Sequence, residues 1–272
     1  MTQFAIRQQD CIKGMSRLTN ESVDLVVTSP PYNLGIRYGK YSDGQGRQSY
    51  LQWCGKWTGQ IRRVLRSNGS FFLNIGSAPS NPMLPHQIVI KLTSASGGFL
   101  LQNTIHWIKS IAVEDRKGAL KSHGHYKPIN STRFLNDCHE YIFHFTKSRR
   151  VEIDRLVIGV PYQDKSNIAR WSHTRGSDLR CRGNTWFIPY ETIQSRAEER
   201  PHPATFPVQL AEWCIRLHGV SRIKTMLDPF LGIGNSAVAA QRCGIKKFIG
   251  FEIDEVYLAE AKRRLEALPV GC

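Results

Sequence analysis

Two hydrophobic periodicities alternate along the 272-residue chain. Val23 to Thr28 is a short run rich in β-branched residues, and it stops at Ser29-Pro30-Pro31-Tyr32, where consecutive prolines lack the amide hydrogens a strand would need. The pattern predicts a buried strand with an abrupt end. Tyr50, Trp53, Trp57, Ile61, Val64 and Leu65 recur at helical spacing and predict a helix leaving at Asn68-Gly69. Ser70 to Ile75 reads as the next strand, and Asn103 to Ile108 and His139 to Thr146 as two more. The polar stretch from Lys109 to Arg133 between them predicts a mobile loop.

Residues 147–200 form a second irregular stretch, rich in Arg, Gly, Ser and Asn, with a weak strand at Thr185 to Pro189. Beyond it the pattern predicts a helix over Ala204 to His218, a strand over Lys224 to Asp228, a helix over Asn235 to Cys243, a strand over Lys247 to Glu252 and a helix over Glu255 to Ala267. Such alternation implies a parallel sheet with crossover helices. Only 20 residues follow Glu252, too few for a further strand and helix, so the N-terminal strands must complete the sheet. The expected class is therefore α/β, a mostly parallel twisted sheet flanked by helices. Its two halves, 1–146 and 201–272, share one core around an insertion at 147–200.

Composition adds a partner class. The chain carries a formal charge of +15, and 20 of its 37 basic residues but only 8 of its 22 acidic ones lie within 1–150. Excess positive charge gathered on one portion is the electrostatic footprint of a polyanion binder. With 41% apolar residues the chain can build a core, and no stretch approaches the ~18 consecutive apolar residues of a membrane span. Met1 to Leu18 contains Asp10, Lys13 and Arg17 in place of a signal-peptide core, so a soluble, cytoplasmic protein is expected. Seven cysteines without a CxxC pair read as reduced thiols.

Two segments carry chemistry. The strand ending at Asp228 runs into Pro229-Phe230-Leu231-Gly232-Ile233-Gly234-Asn235 and a small-residue helix, with Glu252 closing the next strand 20 residues after Gly232. Glycines permit a tight turn and close ligand approach, and an acid in that place accepts ribose hydroxyls. Gly232-x-Gly234-x-x-Ala237 also fits a dinucleotide fingerprint. Asp228 beside the loop would repel a pyrophosphate and favour an ammonium-bearing ligand, which selects S-adenosylmethionine over NAD. The second segment is Ser29-Pro30-Pro31-Tyr32, at the end of a strand where open α/β sheets place ligands. Its hydroxyl, a carbonyl and the Tyr32 ring suit an exocyclic amine on a planar base.

On these residues the chain resembles a family. Thr28-Ser29-Pro30-Pro31-Tyr32-Asn33 is similar to the catalytic (S/D/N)PP(Y/F) motif of the DNA amino-methyltransferases, and Asp228 to Gly234 to their methyl-donor motif. The catalytic motif first and the donor motif last is the permuted order of the β group. Arg200-Pro201-His202-Pro203-Ala204-Thr205-Phe206-Pro207 resembles the segment preceding the donor motif, and Asp10 the acid that contacts the adenine amine. Asn235-Ser236 departs from the usual Thr-Thr pair, and Gln9 stands where a glycine is common.

The resemblance implies a circularly permuted Rossmann-like S-adenosylmethionine-dependent methyltransferase fold. It implies Asp10, Thr205, Phe206, Asp228, Phe230, Gly232, Gly234, Asn235 and Glu252 at the donor. It also implies duplex DNA as substrate, and admits a homodimer and a cognate restriction endonuclease as partners. In this reading the target base flips out, stacks on Tyr32 and offers its amine to Ser29 and the Pro30 carbonyl for direct displacement, with Pro31 holding the turn. No covalent enzyme intermediate is needed, and none of the seven cysteines follows a proline as ring-carbon methylation would require. In this family a serine before Pro-Pro goes more often with cytosine N4 than with adenine N6. Basic segments, with Arg170, Arg175, Arg180 and Arg182, are the expected DNA contacts. His123, His125, Cys138 and His139 match no zinc spacing, so no metal is expected. The competing readings are a methyltransferase for structured RNA or a small amine, and a DNA-binding protein without turnover.

Overall fold

A computed structural model describes residues 2–36, 38–94, 97–115, 117–124, 128–189 and 205–268. In chain order the elements begin with β1 (Gln3–Gln8), α1 (Cys11–Ser16), β2 (Val23–Thr28), α2 (Arg47–Val64), β3 (Leu65–Ile75), α3 (Leu84–Ser94) and β4 (Leu100–Ile108). Then come β5 (Ser110–Glu114), β6 (Leu120–Gly124), β7 (His139–Thr146), α4 (Ser166–Arg170) and β8 (Thr185–Phe187). The chain closes with α5 (Val208–His218), β9 (Thr225–Asp228), α6 (Asn235–Arg242), β10 (Lys247–Glu252) and α7 (Glu255–Glu266).

Eight strands form one sheet in the order β1-β10-β9-β2-β3-β7-β4-β8. Only β7 runs against its neighbours, so the sheet is mostly parallel as expected. The central strands are apolar at successive positions because helices cover both faces. Leu25, Val27, Phe72, Met226 and Phe248 pack beneath α5, α6 and α7, while Val26, Phe71, Leu73, Leu227 and Ile249 pack beneath α1, α2 and α3. All six residues of β2 are buried.

The two ends of the chain meet inside this sheet. Strand β9 pairs with β2, Leu25 opposite Met226 and Val26 opposite Leu227. Two buried carboxylates staple that seam. At one end Asp24 accepts hydrogen bonds from the amides of Lys224 (2.9 Å) and Thr225 (2.8 Å), with Arg66 Nε 3.1 Å from its other oxygen. At the other, the Thr28 hydroxyl donates to Asp228 at 2.5 Å. From β2 the chain crosses by α2 on one face to β3, and from β9 by α6 on the opposite face to β10. Their shared border is a topological switch point, where loops diverge and open a crevice at the strand ends.

Several elements differ from the sequence reading. Gln3–Gln8 is a strand, pairing in parallel with β10, so the first residues belong to the sheet edge beside the last strand. Asn68-Gly69 is not a helix exit: α2 ends at Val64 and β3 starts at Leu65, its residues 66–69 bulging between the pairs Val23–Leu65 and Leu25–Ser70. Bulge and helix exit share the same Gly signal. Much of the expected loop at 109–133 is the hairpin β5–β6, closed by Gly118 at φ 79° and by Asp115, whose carboxylate accepts from Lys117 and Ala119 amides. Exposed Ile111, Val113 and Leu120 supply the strand preference that the surrounding charges masked. The expected helix start at Ala204 lies outside the described residues, and the helix is seen from Val208. Among the described residues, no helix is long and apolar enough to cross a membrane.

One polar cluster sits under the sheet. Ser70 Oγ lies 2.9 Å from His144 Nε2 and 2.8 Å from His218 Nδ1. Burial lowers the His144 pKa to about 3 and that of His218 to about 4. On acidification below about 6.5 the unfolded chain takes up protons that these native rings refuse, so their contribution to stability falls as pH drops. The stability of the parent relative to His218→Asn, from urea unfolding, is therefore expected to fall between pH 7 and pH 5. A second expectation concerns the seam: Thr28→Val removes a donor to a buried carboxylate at constant shape. It should cost about 1.5–3 kcal/mol at pH 7 by the same measurement.

Candidate active site

The crevice at the switch point is a cleft of about 740 Å³. One wall is the loop after β9. Asp228 is buried at its base, accepting from Thr28, from the Ser236 hydroxyl and from the Phe230 amide. Burial raises its pKa to about 6, against the lowering effect of those hydrogen bonds. Gly232 (φ 52°) and Gly234 (φ 83°) take left-handed conformations, and a Cβ on Gly234 would come within 3.0 Å of Ala261 on α7. The Gly232 amide donates to Glu252 Oε2 at 2.8 Å, while Glu252 Oε1 accepts from Ile253 and Asp254 amides, both at 2.9 Å. Burial raises the Glu252 pKa, and these amides offset it.

The opposite wall is the end of β2. Ser29 Oγ is 2.7 Å from Tyr32 Oη, which donates to Glu140 Oε2 at 2.9 Å. Asn74, at the end of β3, donates through Nδ2 to Tyr32 Oη (2.7 Å) and Glu140 Oε2 (2.8 Å), and Lys109 Nζ lies 2.9 Å from Glu140 Oε1. A carboxylate only accepts, so Glu140 fixes the direction of the chain. Tyr32 must point its single proton at Glu140 and Ser29 its own at Tyr32, which leaves Ser29 Oγ an acceptor at the cleft wall, with Asn74 Nδ2 a long 3.4 Å away. The same constraint orients the Asn74 amide and leaves its buried Oδ1 without a hydrogen-bond partner among the described residues. Burial, then the charge of Glu140, pushes the Tyr32 pKa well above 10, so it keeps its proton. The Pro31 carbonyl accepts from Tyr50 of α2 at 2.7 Å, fixing the turn.

A lid crosses between the walls. Buried Asp43 accepts from the amides of Asn33 (2.7 Å), Leu34 (3.0 Å) and Ile36 (3.1 Å), and Asn33 is clasped to Gln45 by two side-chain bonds of 2.7 Å. This folds Leu34, Tyr38 and Tyr41 over the cleft. A Cβ on Gly39 would fall 2.0 Å from the Asp254 carboxylate, so the lid meets the start of α7 closely.

Most of the expected residues converge here. Ser29, Pro30, Pro31 and Tyr32 line the cleft, as do Asp10, Thr205, Phe206, Phe230, Gly232, Asn235 and Glu252. Asp10 also caps α1, accepting from the Lys13 amide at 2.9 Å. Arg200 to Ala204 lie outside the described residues. Asp228 and Gly234 are not on the lining, which corrects the expectation that Asp228 meets a cationic ligand. Its carboxylate is spent on the seam and the loop. Pyrophosphate is disfavoured for another reason. The Phe230, Leu231, Gly232 and Gly234 amides already donate to protein acceptors, and the Glu252 carboxylate occupies the glycine turn. The cleft suits a ribosyl ligand without phosphate, with Glu252 as hydroxyl acceptor and Phe230, Leu231 and Ile253 as apolar walls.

Arg170, Arg175 and Arg180 are exposed. Arg182 is corrected: its Nε donates to the Ile158 carbonyl at 2.8 Å and its guanidinium lies 4.4 Å from the Trp213 ring centre, a packing role. The sequence reading missed Asn74, Lys109 and Glu140. Asn74 interrupts the apolar Phe71 to Ile75 run, a visible signal, whereas Glu140 is the second residue of β7 and nothing in its neighbourhood marks it. Among the described residues, which leave out His125, no group of three or more His, Cys, Asp or Glu could hold a metal.

Comparison with known proteins agrees with this geometry. The type II methyltransferase M.ScaI of Streptomyces caespitosus is 28% identical over 268 residues, 95% of this chain and 80% of that protein. M.HpaI of Haemophilus parainfluenzae is 26% identical over 261 residues, 95% and 73% of the respective chains. The solved PvuII DNA methyltransferase, described as cytosine-N4-specific, superposes with a TM-score of 0.69 at 19% identity, covering 100% of this chain and 89% of that one. The TTHA0409 putative DNA modification methylase of Thermus thermophilus, solved with S-adenosylmethionine, has a TM-score of 0.62 at 23% identity over 96% and 93%. A family model named N6_N4_Mtase, described as DNA methylase, matches residues 23–263. That span runs from β2 through the cleft to α7, and the chain belongs to the N6/N4 DNA methylase family.

Proposed function

We propose that this chain methylates the exocyclic N4 amine of cytosine in duplex DNA, with S-adenosylmethionine as donor. The observation that carries the reading is the polarity of the Ser29 hydroxyl. Glu140, through Tyr32, leaves Ser29 an acceptor at the mouth of a cleft whose other wall suits an adenosyl group. Two acceptors are needed to hold an NH2 group, and Ser29 Oγ and the Pro30 carbonyl supply them.

Bound S-adenosylmethionine supplies an electrophilic methyl group. Glu252 and Asp10 would hold its ribose and adenine amine, and Thr205, Phe206, Phe230 and Asn235 the remainder. Ser29 and the Pro30 carbonyl then orient the amine lone pair, so the chain contributes positioning and electrostatics. Reaching an amine inside a duplex requires the base to flip out, and the Tyr32 ring, anchored by its hydroxyl, is the surface for it to stack on. The serine before Pro30-Pro31 supports cytosine over adenine, and the PvuII enzyme that shares this fold is described as cytosine-N4-specific.

Incubation with S-adenosylmethionine and unmodified genomic DNA, followed by nucleoside analysis, is expected to yield N4-methylcytosine. N6-methyladenine would overturn the choice of base, and no product would overturn the activity. Ser29→Ala should lower turnover by about 100-fold or more, and near-normal turnover would refute the role given to Ser29.

Exposed and packed arginines should separate cleanly. Arg170→Ala is expected to weaken DNA binding and reduce the slope of log K against log salt by roughly 0.9 in filter-binding titrations. Arg182→Ala should instead lower stability by about 1–2 kcal/mol and leave that slope unchanged.

A further inference from the structure

An amine that gains a methyl group must lose a proton, and the chain wired behind Ser29 ends on a carboxylate. We propose that Glu140 is the terminal acceptor of that proton, reached through Ser29 and Tyr32. The inference rests on the reading that Ser29 holds the target amine.

The geometry is a continuous path of short contacts. Ser29 Oγ to Tyr32 Oη is 2.7 Å and Tyr32 Oη to Glu140 Oε2 is 2.9 Å, all at the cleft wall. Asn74 bonds to Tyr32 and to Glu140 Oε2 and holds the two in register. Asn74 cannot itself take the proton, since an amide nitrogen has no basic lone pair. Lys109 approaches the other oxygen at 2.9 Å and keeps Oε2 for Tyr32. Among the described residues, Asp137 just before β7, His139 at its first position and Tyr38 on the lid also lie in the field of Glu140.

The balance is closed. The amine lone pair forms the bond to the methyl carbon, and the electrons of the bond that carbon had stay with the donor. An N–H bond then breaks, its electrons returning to nitrogen, and the proton bonds to Ser29 Oγ. The Ser29 proton passes to Tyr32 Oη and the Tyr32 proton to Glu140 Oε2. Ser29 and Tyr32 finish neutral, as they began, consistent with a phenol held protonated at rest. Glu140 finishes as a carboxylic acid and returns its proton to water in the cleft that it lines.

Glu140→Gln preserves shape but cannot accept a proton, and Tyr32→Phe cuts the path without touching the carboxylate. With both substrates saturating, each is expected to lower the single-turnover rate by about 100-fold. The dissociation constant for S-adenosylmethionine should stay unchanged, and the solvent deuterium isotope effect on that rate should shift. The double variant should be no slower than the slower single one, and Glu140→Asp should recover part of the rate. The proposal falls if Glu140→Gln keeps a rate within about threefold of the parent, if the losses multiply in the double variant, or if they are matched by lost affinity. Ser29→Ala run alongside separates the two readings: an active Ser29→Ala sinks the amine site itself, whereas an inactive one beside an active Glu140→Gln sinks only the relay.

Discussion

The carboxylate of Asp228 is the interaction on which this molecule turns. It is buried in the middle of the sheet, where an unpaired charge would be costly, and its three donors come from three different parts of the structure. Thr28 ends the strand that presents Ser29, the Phe230 amide lies in the loop of the donor wall, and Ser236 sits in the first turn of α6. The need to satisfy one buried anion therefore sets the spacing between two walls 200 residues apart in sequence. Asp24 does the same at the other end of the seam, so β2 and β9 can neither slip nor splay.

Acceptor-only chemistry then dictates what the cleft can hold. Glu252 consumes the Gly232 amide and lies in the glycine turn, so the loop offers an oxygen to hydroxyl donors where a dinucleotide-binding turn would offer amides to phosphate. Glu140 consumes the Tyr32 proton and turns Ser29 outward as an acceptor. Both walls thus face the cleft with lone pairs, matched to amines and hydroxyls. In each case a carboxylate not itself positioned over the reacting atoms decides the direction of the groups that are.

Positive charge reaches beyond the cleft. Beyond buried Ser110 the strands of the hairpin β5–β6 are exposed; the hairpin bears Lys117 and Lys121 and leaves the body directly after Lys109 at the cleft wall. The irregular stretch after β7 is anchored by Trp186 and Ile188 in the core and by Arg182 on Trp213, and still leaves Arg170, Arg175 and Arg180 in solvent. A rigid sheet with basic projections is the arrangement by which a polyanion can be drawn to a deep site without being read at its floor.

Local pattern was sufficient for much of this. Two-fold and helical periodicities marked the buried strands and crossover helices, the prolines after Thr28 marked where β2 must stop, and the glycine turn with Glu252 marked one wall of the cleft, since each depends on neighbours close in sequence. What sequence could not determine were relations between distant residues. Asp228 looked like a ligand contact until the packing of Thr28 and Ser236 against it showed it to be a buried tie, and Arg182 looked like a DNA contact until Trp213 took its guanidinium. Glu140 carried no local mark, because its importance comes from β7 running against β3 and bringing it to Tyr32 and Asn74. Periodicity belongs to the sequence, but the partner of a polar group, and hence the direction of its proton, exists only once the sheet has closed.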